Sequence, residues 1–317
     1  MTSNDPMRQQ TRATFPRVKL PYSIIKVEGP DAEKFLQGQV SCDLAKLDTH
    51  AWCYGTANTP KGRLYWLFAI AKMSDHFLIR VHNEIVKQGL TTLSKYKVFF
   101  KCDIHILDTF NVYGETAQEA EQPPALLSAA TNTLEECGEG LRKKATPASL
   151  NADTRTELWT EKDLPSSHEK EATEAWFARD CEAGVPELYP NTLDTFILQQ
   201  LNLQELGAVS FNKGCYTGQE IIARMKFLGK LKKKMYLFTV PLSDRIAGAA
   251  PGDPLVDETG RKIGQLVRLH SDQGKVHALA VCDIAAIESG LEKRLSVGAE
   301  STHAEGQSLQ FSELHYD

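Results

Sequence analysis

The spacing of apolar residues along the first hundred positions predicts antiparallel strands mixed with short helices. Apolar residues there alternate with polar ones or form short runs bounded by turn residues, which is typical of strands. A helix is predicted near 31–40, with Phe35 and Leu36 on its buried side, another at 84–93, and a hairpin turn at 59–62. Strands are predicted at 23–27, 52–57, 64–72, 76–81 and 97–106.

The second half of the chain changes its pattern twice. Residues 114–170 show no sustained apolar periodicity, which predicts a variable, partly exposed subdomain. Helices are predicted at 170–181 and 218–226. Short strands with turn residues between them, which indicate a compact all-β module, are predicted at 235–240, 254–257, 262–269 and 275–283. The predicted class is therefore α+β, because repeated βαβ units and nucleotide-binding glycine motifs are both missing from the sequence.

Length and composition support two or three domains in a chain of 317 residues with 42% hydrophobic residues. The predicted divisions are a disordered tail at 1–15, an N-terminal α+β domain at 16–112, a second α+β portion at 113–229 and a β module at 230–317. The polar N-terminus does not resemble a signal peptide, and the longest apolar run is too short to span a bilayer. We therefore expect a cytoplasmic protein.

Charge and cysteine content exclude several classes of protein. A formal net charge of −5 disfavours a surface covered by nucleic acid. Seven scattered cysteines, none within three residues of another, predict neither a disulfide framework nor a resident metal site, and they fit a reducing compartment. One basic patch stands out in the sequence: Arg224, Lys226, Lys230, Lys232, Lys233 and Lys234.

The segment from Lys213 to Glu220, Lys-Gly-Cys-Tyr-Thr-Gly-Gln-Glu, carries the strongest chemical signal. Thr217 and Glu220 have capping-box spacing, which predicts a helix that begins at Gly218. Cys215 would then lie near the positive end of this helix and near the charge of Lys213, and both favour a reactive thiolate. The alternative is a small buried hydrophobic residue, the usual role of a lone cysteine.

This octapeptide, including Gly214, Tyr216 and Gln219, strongly resembles a motif of the YgfZ family of folate-binding proteins, a branch of the glycine-cleavage T-protein superfamily. Further matching segments are found at 29–40, 60–63, 182–186, 195–197, 202–203 and 209–212. The resemblance implies an aminomethyltransferase-like folate-binding fold with a small C-terminal β-barrel. It also implies tetrahydrofolate or a derivative as cofactor, and a role in maintaining iron-sulfur enzymes, including those that thiolate tRNA.

The same resemblance implies three folate-binding residues. Glu182 matches a pterin-binding glutamate of T-protein relatives, and Tyr22 and Trp176 match positions that are aromatic in bacterial relatives. Tyr22 stands where those relatives have tryptophan. Without the resemblance, Trp176 would be interpreted as core packing and Glu182 as solvated surface.

One departure from the superfamily affects the expected activity. Aminomethyltransferases carry paired aspartates after the hairpin turn, where this chain has Tyr65 and Trp66. We therefore expect a maturation factor that acts through Cys215, rather than an aminomethyltransferase or other one-carbon transferase. A cysteine hydrolase, which would need a histidine beside Cys215, is a third alternative. Expected partners are reduced folate, iron-sulfur enzymes or cluster-assembly proteins, and, with least support, RNA at the basic patch.

Overall fold

The computed structural model describes residues 17–115, 132–145, 155–167, 170–243, 246, 248–257, 259–289, 296–297, 310–312 and 314. The predicted disordered tail at 1–15 lies outside these residues. In chain order the strands are β1 Arg17–Lys19, β2 Tyr22–Glu28, β3 Trp52–Asn58, β4 Leu64–Lys72, β5 His76–His82, β6 Asp103–Ile106, β7 Asn111–Glu115, β8 Glu135–Cys137, β9 Gly140–Lys144, β10 Thr156–Thr160, β11 Lys233–Pro241, β12 Pro254–Val256, β13 Lys262–Asp272, β14 Lys275–Asp283, β15 Ser296–Val297 and β16 Gln310–Ser312. The α-helices are α1 Ala32–Gln37, α2 Val86–Ser94, α3 Lys170–Glu182, α4 Gln219–Phe227 and α5 Ile284–Glu288.

The first sheet has the order β3-β4-β5-β2-β6, with antiparallel neighbours. Its strands β2 to β5 confirm four of the predicted strands. The fifth prediction, a strand at 97–106, was wrong in its first half, because Lys97–Phe99 forms a short 3-10 helix and only Asp103–Ile106 pairs with β2. Val98 and Phe99 are 78% and 92% exposed. These apolar residues therefore lie on the surface and do not belong to a buried strand.

The second sheet has the order β1-β7-β10-β9-β8, and most of its strands come from the region predicted as a variable subdomain. Leu158 and Trp159 in β10 are fully buried. The described part of this region is therefore a structural layer of the protein. The strands were hard to predict because they are only three to five residues long.

The third sheet has the order β15-β12-β13-β14-β11-β16, and β11 to β14 confirm the four strands predicted there. The region is not entirely β, because helix α5 follows β14. The strand pairs of this sheet are all antiparallel within the described part of the chain. Among the described residues, no pairing joins the outer strands β15 and β16, so the barrel expected from the resemblance is not confirmed.

Helix α3 joins the three sheets. Its residues Phe177 and Cys181 are buried in one large apolar cluster, which extends from the first sheet to Val267 and Leu279 of the third sheet. A smaller cluster, around Phe238 and other residues, lies within the third sheet alone. The domain divisions made from the sequence stay predictions. Within the described residues, no helix is long and apolar enough to cross a membrane.

Candidate functional site

The octapeptide 213–220 lies on the surface, against residues 38–42 that follow α1. The backbone N–H of Thr217 donates to the carbonyl oxygen of Gly38 at 3.2 Å. The hydroxyl of Thr217 donates to Oε1 of Gln39, also at 3.2 Å. These bonds join segments that are far apart in the chain, so the cysteine loop has a fixed place on the fold.

Helix α4 begins differently from the prediction. Its N-cap is Gly218, with φ +84° and no side-chain capping bond. The capping box of Thr217 and Glu220 was therefore wrong, because the left-handed glycine lies between Thr217 and the first turn, and the threonine hydroxyl binds Gln39 instead. A Cβ at Gly218 would lie 2.6 Å from the carbonyl oxygen of Thr59, so only glycine lets this helix start approach the β3–β4 hairpin.

Lys213 holds the loop in place through its side chain. Its ammonium group donates to the carbonyl oxygens of Val40 at 2.8 Å and Cys42 at 2.7 Å. It also lies 5.1 Å from the ring centre of Tyr216, which is buried. Burial lowers the pKa of Lys213. The sequence predicted that the charge of Lys213 favours the thiolate of Cys215. In the structure, the ammonium group of Lys213 binds two backbone carbonyl oxygens and holds the loop in place.

Cys215 is exposed, whereas Cys42, Cys102, Cys181 and Cys282 are buried. Among the described residues, no hydrogen bond links Cys215 to a histidine, as a cysteine hydrolase would need. Nor do the described His, Cys, Asp and Glu residues form a group of three that could hold a metal ion. The sulfur is thus open to a partner from outside the chain.

The remaining members of the octapeptide differ in their contacts. The Oε1 atom of Gln219 accepts the backbone N–H of Tyr216 at 3.3 Å, which closes the turn before α4. Gly214 is exposed, and a Cβ there would meet nothing within 4 Å. Glu220 is exposed in the first turn of α4.

The two aromatic residues predicted to bind folate lie in the interior. Tyr22 is 6% exposed, and its ring centre lies 4.0 Å from Cζ of Arg80. Trp176 packs directly on Gly114, where an added Cβ would lie 2.7 Å from the indole. Its ring centre lies 4.6 Å from Cζ of Arg155. The cavity beside Tyr22 has a volume of about 10 Å³, which suits one water molecule and not a folate.

Glu182, the predicted pterin carboxylate, lies at the surface. Its side chain is 46% exposed, and Oε1 lies 3.2 Å from Nδ1 of His277. Neither Glu182 nor Cys215 borders the small cavity beside Tyr22. Tyr22, Trp176, Glu182 and Cys215 therefore do not line a common cavity among the described residues.

A much larger cavity, of about 650 Å³, opens between the first half of α3 and the third sheet. None of Tyr22, Trp176, Glu182 and Cys215 lines it. Its size is within the usual range for small-molecule sites. Both polar and apolar side chains line the cavity, among them Glu84, Lys170, Glu174, Tyr189, Leu269, His270 and Val276.

A histidine-carboxylate pair lies in the lining of this cavity. Nδ1 of His270 lies 3.3 Å from Oε2 of Glu174, and the same oxygen accepts the backbone N–H of Ser271 at 2.9 Å. The His270 ring also packs on Phe177 with 5.0 Å between centres. Burial lowers the pKa of His270, although the bond to Glu174 acts in the opposite direction. The Nε2 atom is buried and has no hydrogen-bond partner among the described residues.

The basic patch follows the cysteine loop along the chain. Arg224, Lys226, Lys230 and Lys232 are exposed, and Lys233 and Lys234 are half-buried in β11. Phe227 and Leu228, in the middle of the patch, are 68% and 84% exposed. RNA contact at this patch stays a prediction.

Tyr65 and Trp66, which stand where the resemblance implies paired aspartates, belong to the core. Tyr65 is 6% exposed and Trp66 only 1%. The indole N–H of Trp66 donates to the carbonyl oxygen of Ile85 at 3.2 Å, and Gly89 packs on the same ring. Trp66 therefore ties α2 to the first sheet, and neither position carries a carboxylate.

The three-sheet fold defines the structural class. It is similar to the glycine-cleavage aminomethyltransferase T of Bartonella henselae, with a TM-score of 0.63 over 95% of this chain and 89% of that one. At 16% identity, this similarity establishes the fold alone.

Sequence comparison places the chain within that class. A tRNA-modifying protein YgfZ of Aliivibrio fischeri is 31% identical over 82% of each chain, and one of Cronobacter sakazakii is 29% identical over 90% of this chain and 93% of the relative. An uncharacterized protein of Haemophilus influenzae is 33% identical over 77% of this chain and 80% of its own. No protein-family model matches the chain. The chain belongs to the YgfZ family.

Sequence reasoning missed the large cavity and its histidine-carboxylate pair. Glu174 and His270 are 96 positions apart and belong to no motif. The one local signal was Glu174 itself, a carboxylate two positions before Trp176 on a predicted helix. Only the packing of α3 on β13 brings the pair together.

Proposed function

We propose that this protein is a folate-binding accessory factor that supports the assembly or repair of iron-sulfur enzymes, including those that thiolate tRNA, through Cys215. The observation that carries the proposal is the exposed sulfur of Cys215, held at a fixed place by the family octapeptide. The name of the relatives, tRNA-modifying protein, supports the same process.

The proposed role of Cys215 is to act as a thiolate toward iron or sulfur supplied by a partner. One thiolate does not hold a four-iron cluster, which usually takes four cysteine ligands. The described residues offer no group of three further ligands. The cluster or sulfur is therefore a cargo shared with the partner.

The proposed folate site is the cavity of about 650 Å³. Its volume is within the usual range for small-molecule sites, and its lining offers hydrogen-bond acceptors beside an apolar wall, which a pterin would use. Bound folate would supply one-carbon or redox chemistry. Glu174 and His270 would hold the cofactor, and Leu269 and Val276 would exclude water from one face.

An aminomethyltransferase activity is the alternative. Tyr65 and Trp66 disfavour this activity, because they fill the core at the positions where it needs a carboxylate.

The C-terminal sheet is proposed to close into the barrel that the resemblance implies.

The first prediction concerns Cys215. In cells that lack this protein, Cys215→Ser is expected to reduce thiolated tRNA nucleosides to the level of the empty vector, because the hydroxyl group does not replace a thiolate toward iron or sulfur. The nucleosides are measured by mass spectrometry of digested tRNA. Cys137→Ser, which alters another free cysteine on β8, is the matched control and is expected to match wild type. Full thiolation by Cys215→Ser would remove the thiol from the function.

A further inference from the structure

A basic surface with exposed apolar side chains lies beside the cysteine loop. Within 209–234 the chain has seven lysine and arginine residues and a single carboxylate, Glu220, although its formal net charge is −5. We call the part of this segment at the end of α4 the α4 surface, formed by Arg224, Lys226, Phe227, Leu228, Lys230 and Lys232, which are all exposed. Among the described residues, no carboxylate forms an ion pair with its four cations. The α4 surface therefore attracts an acidic partner.

Two apolar side chains lie at the centre of the α4 surface. Phe227 is 68% exposed and Leu228 is 84% exposed. Helix α4 ends at Phe227, and Ile222 is its one buried residue, so its last turn faces solvent. Protein–protein interfaces typically enclose apolar and aromatic residues at their centre and keep charged residues at their edge. The α4 surface has this arrangement.

The α4 surface is held beside the octapeptide. The ring of Phe227 packs edge-to-face on that of Phe211, which lies four positions before Cys215, with 6.0 Å between the ring centres. The ammonium group of Lys226 lies 5.5 Å from the centre of the Phe211 ring. Helix α4, with nine residues, is about 14 Å long. An interface of ordinary size covers about 800 Å² on each partner, roughly 30 Å across, so one partner can cover both Cys215 and Leu228.

The composition of the α4 surface favours a protein over RNA or a second copy of this chain. RNA is bound by cations on its phosphates and by aromatic rings that stack on its bases, and Leu228 does neither. A twofold contact between two copies would place the same cations face to face. An acidic protein surface with apolar residues of its own matches both the charges and the apolar centre.

We propose that the α4 surface docks an acidic face of the partner protein that supplies iron or sulfur to Cys215, with Phe227 and Leu228 at the centre of the contact. The proposal rests on the proposed function and specifies where its partner binds. Docking and thiol chemistry then belong to different residues, so that substitution removes each of them separately.

The test uses a defined partner. The thiolated nucleoside that disappears from the tRNA of cells lacking this protein identifies the tRNA-thiolating iron-sulfur enzyme that depends on it. This enzyme, purified anaerobically with its cluster, is the probe, and its binding to the full-length protein is measured by biolayer interferometry. Saturable binding that weakens as the salt concentration rises is expected, because the contact pairs opposite charges. Absence of saturable binding would overturn the proposal.

Two variants test the apolar centre. Phe227→Ser and Leu228→Ser change exposed side chains, and each is expected to raise the Kd for the enzyme about tenfold, as truncation of a central interface residue does. Val98→Ser is the matched control, because Val98 is 78% exposed and precedes β6, at one edge of the first sheet. Helix α4 packs instead on the β3–β4 hairpin at the opposite edge, where a Cβ at Gly62 would lie 3.0 Å from Ile221. Wild-type affinity in both test variants would overturn the proposal.

Charge reversal tests the edge of the α4 surface. The double variant Lys230→Glu and Lys232→Glu is expected to slow association with the enzyme about tenfold. Lys275→Glu is the matched control. Lys275 pairs with Pro241 at one end of β11, and Lys233 begins the other end, roughly 26 Å away. Equal slowing in Lys275→Glu would assign the effect to net charge and contradict the docking site.

The outcomes separate this proposal from the proposed function. Leu228→Ser is expected to lower thiolated nucleosides in cells while maleimide modifies Cys215 at the wild-type rate, and Cys215→Ser is expected to bind the enzyme normally while thiolation is lost. If cells lacking the protein keep every thiolated nucleoside, the proposed function and this inference fail together. If a nucleoside is lost but Phe227→Ser and Leu228→Ser bind the enzyme like wild type, only this inference fails. Binding of bulk tRNA that Leu228→Ser weakens, without binding of the enzyme, would make the surface an RNA site and overturn the proposal.

Discussion

At the scale of the residue, Asp180 is the carboxylate on which two buried guanidinium groups depend. It lies 2.8 Å from Arg155 and 2.9 Å from Arg268, and all three side chains are buried. Burial alone would raise the pKa of Asp180, but the two arginines outweigh it and hold the pKa below its ordinary value. Asp180→Ala leaves both cations without this partner and is expected to lower the free energy of unfolding by about 3–5 kcal/mol in urea denaturation.

The control for Asp180 is Glu171→Gln on the exposed face of the same helix, with an expected change within about 0.5 kcal/mol. Because the folded pKa of Asp180 is depressed, its contribution is present above the unfolded pKa of about 3.9 and is lost as pH falls through the folded value. A loss in Asp180→Ala no larger than in Glu171→Gln would show that the arginines find other partners.

At the scale of the element, α4 depends on the glycine before it. Gly218→Ala places a side chain at φ +84° and 2.6 Å from the carbonyl oxygen of Thr59. The expected cost is about 1–3 kcal/mol of stability, with a changed rate of Cys215 modification by a thiol reagent, since the loop before the helix must shift. Gly214→Ala, with open space around it, is expected to leave stability unchanged. Wild-type behaviour of Gly218→Ala would show that the hairpin yields without cost.

Strands and helices were predicted correctly where the local pattern of apolar residues agrees with the packing in the fold. The meander from β3 to β5 combines long apolar runs with a clear turn, and its register needs no distant partner. The helix cap at Thr217 failed because Gln39, far away in sequence, competes for the threonine hydroxyl. The pair of His270 and Glu174 was likewise invisible, because no local pattern encodes contact between α3 and β13.

At the scale of the whole molecule, stability should depend on pH through Lys143. This lysine is fully buried, and burial lowers its pKa to about 8, although Glu157 opposes the shift. Between pH 8 and the unfolded value of about 10.4, the unfolded chain binds more protons than the folded one. The free energy of unfolding is therefore expected to rise with pH across this window.

Lys143→Met is expected to flatten that rise, as measured by urea denaturation at several pH values. Glu157 keeps Arg80 at 3.4 Å and the indole N–H of Trp159 at 3.1 Å, so the variant does not leave a carboxylate alone. Lys34→Met, a change at the exposed surface of α1, controls for general charge effects. An unchanged slope in Lys143→Met would assign the pH dependence to other groups.

The anchoring of the cysteine loop limits which partners the sulfur can reach. Lys213 and Thr217, on either side of Cys215, bind the loop to residues 38–42. The sulfur therefore reaches outward mainly by rotation of its own short side chain. Under the proposed function, iron or sulfur must therefore be presented on a protruding or shallow part of the partner, and a client whose cluster lies deep has to open before Cys215 can serve it.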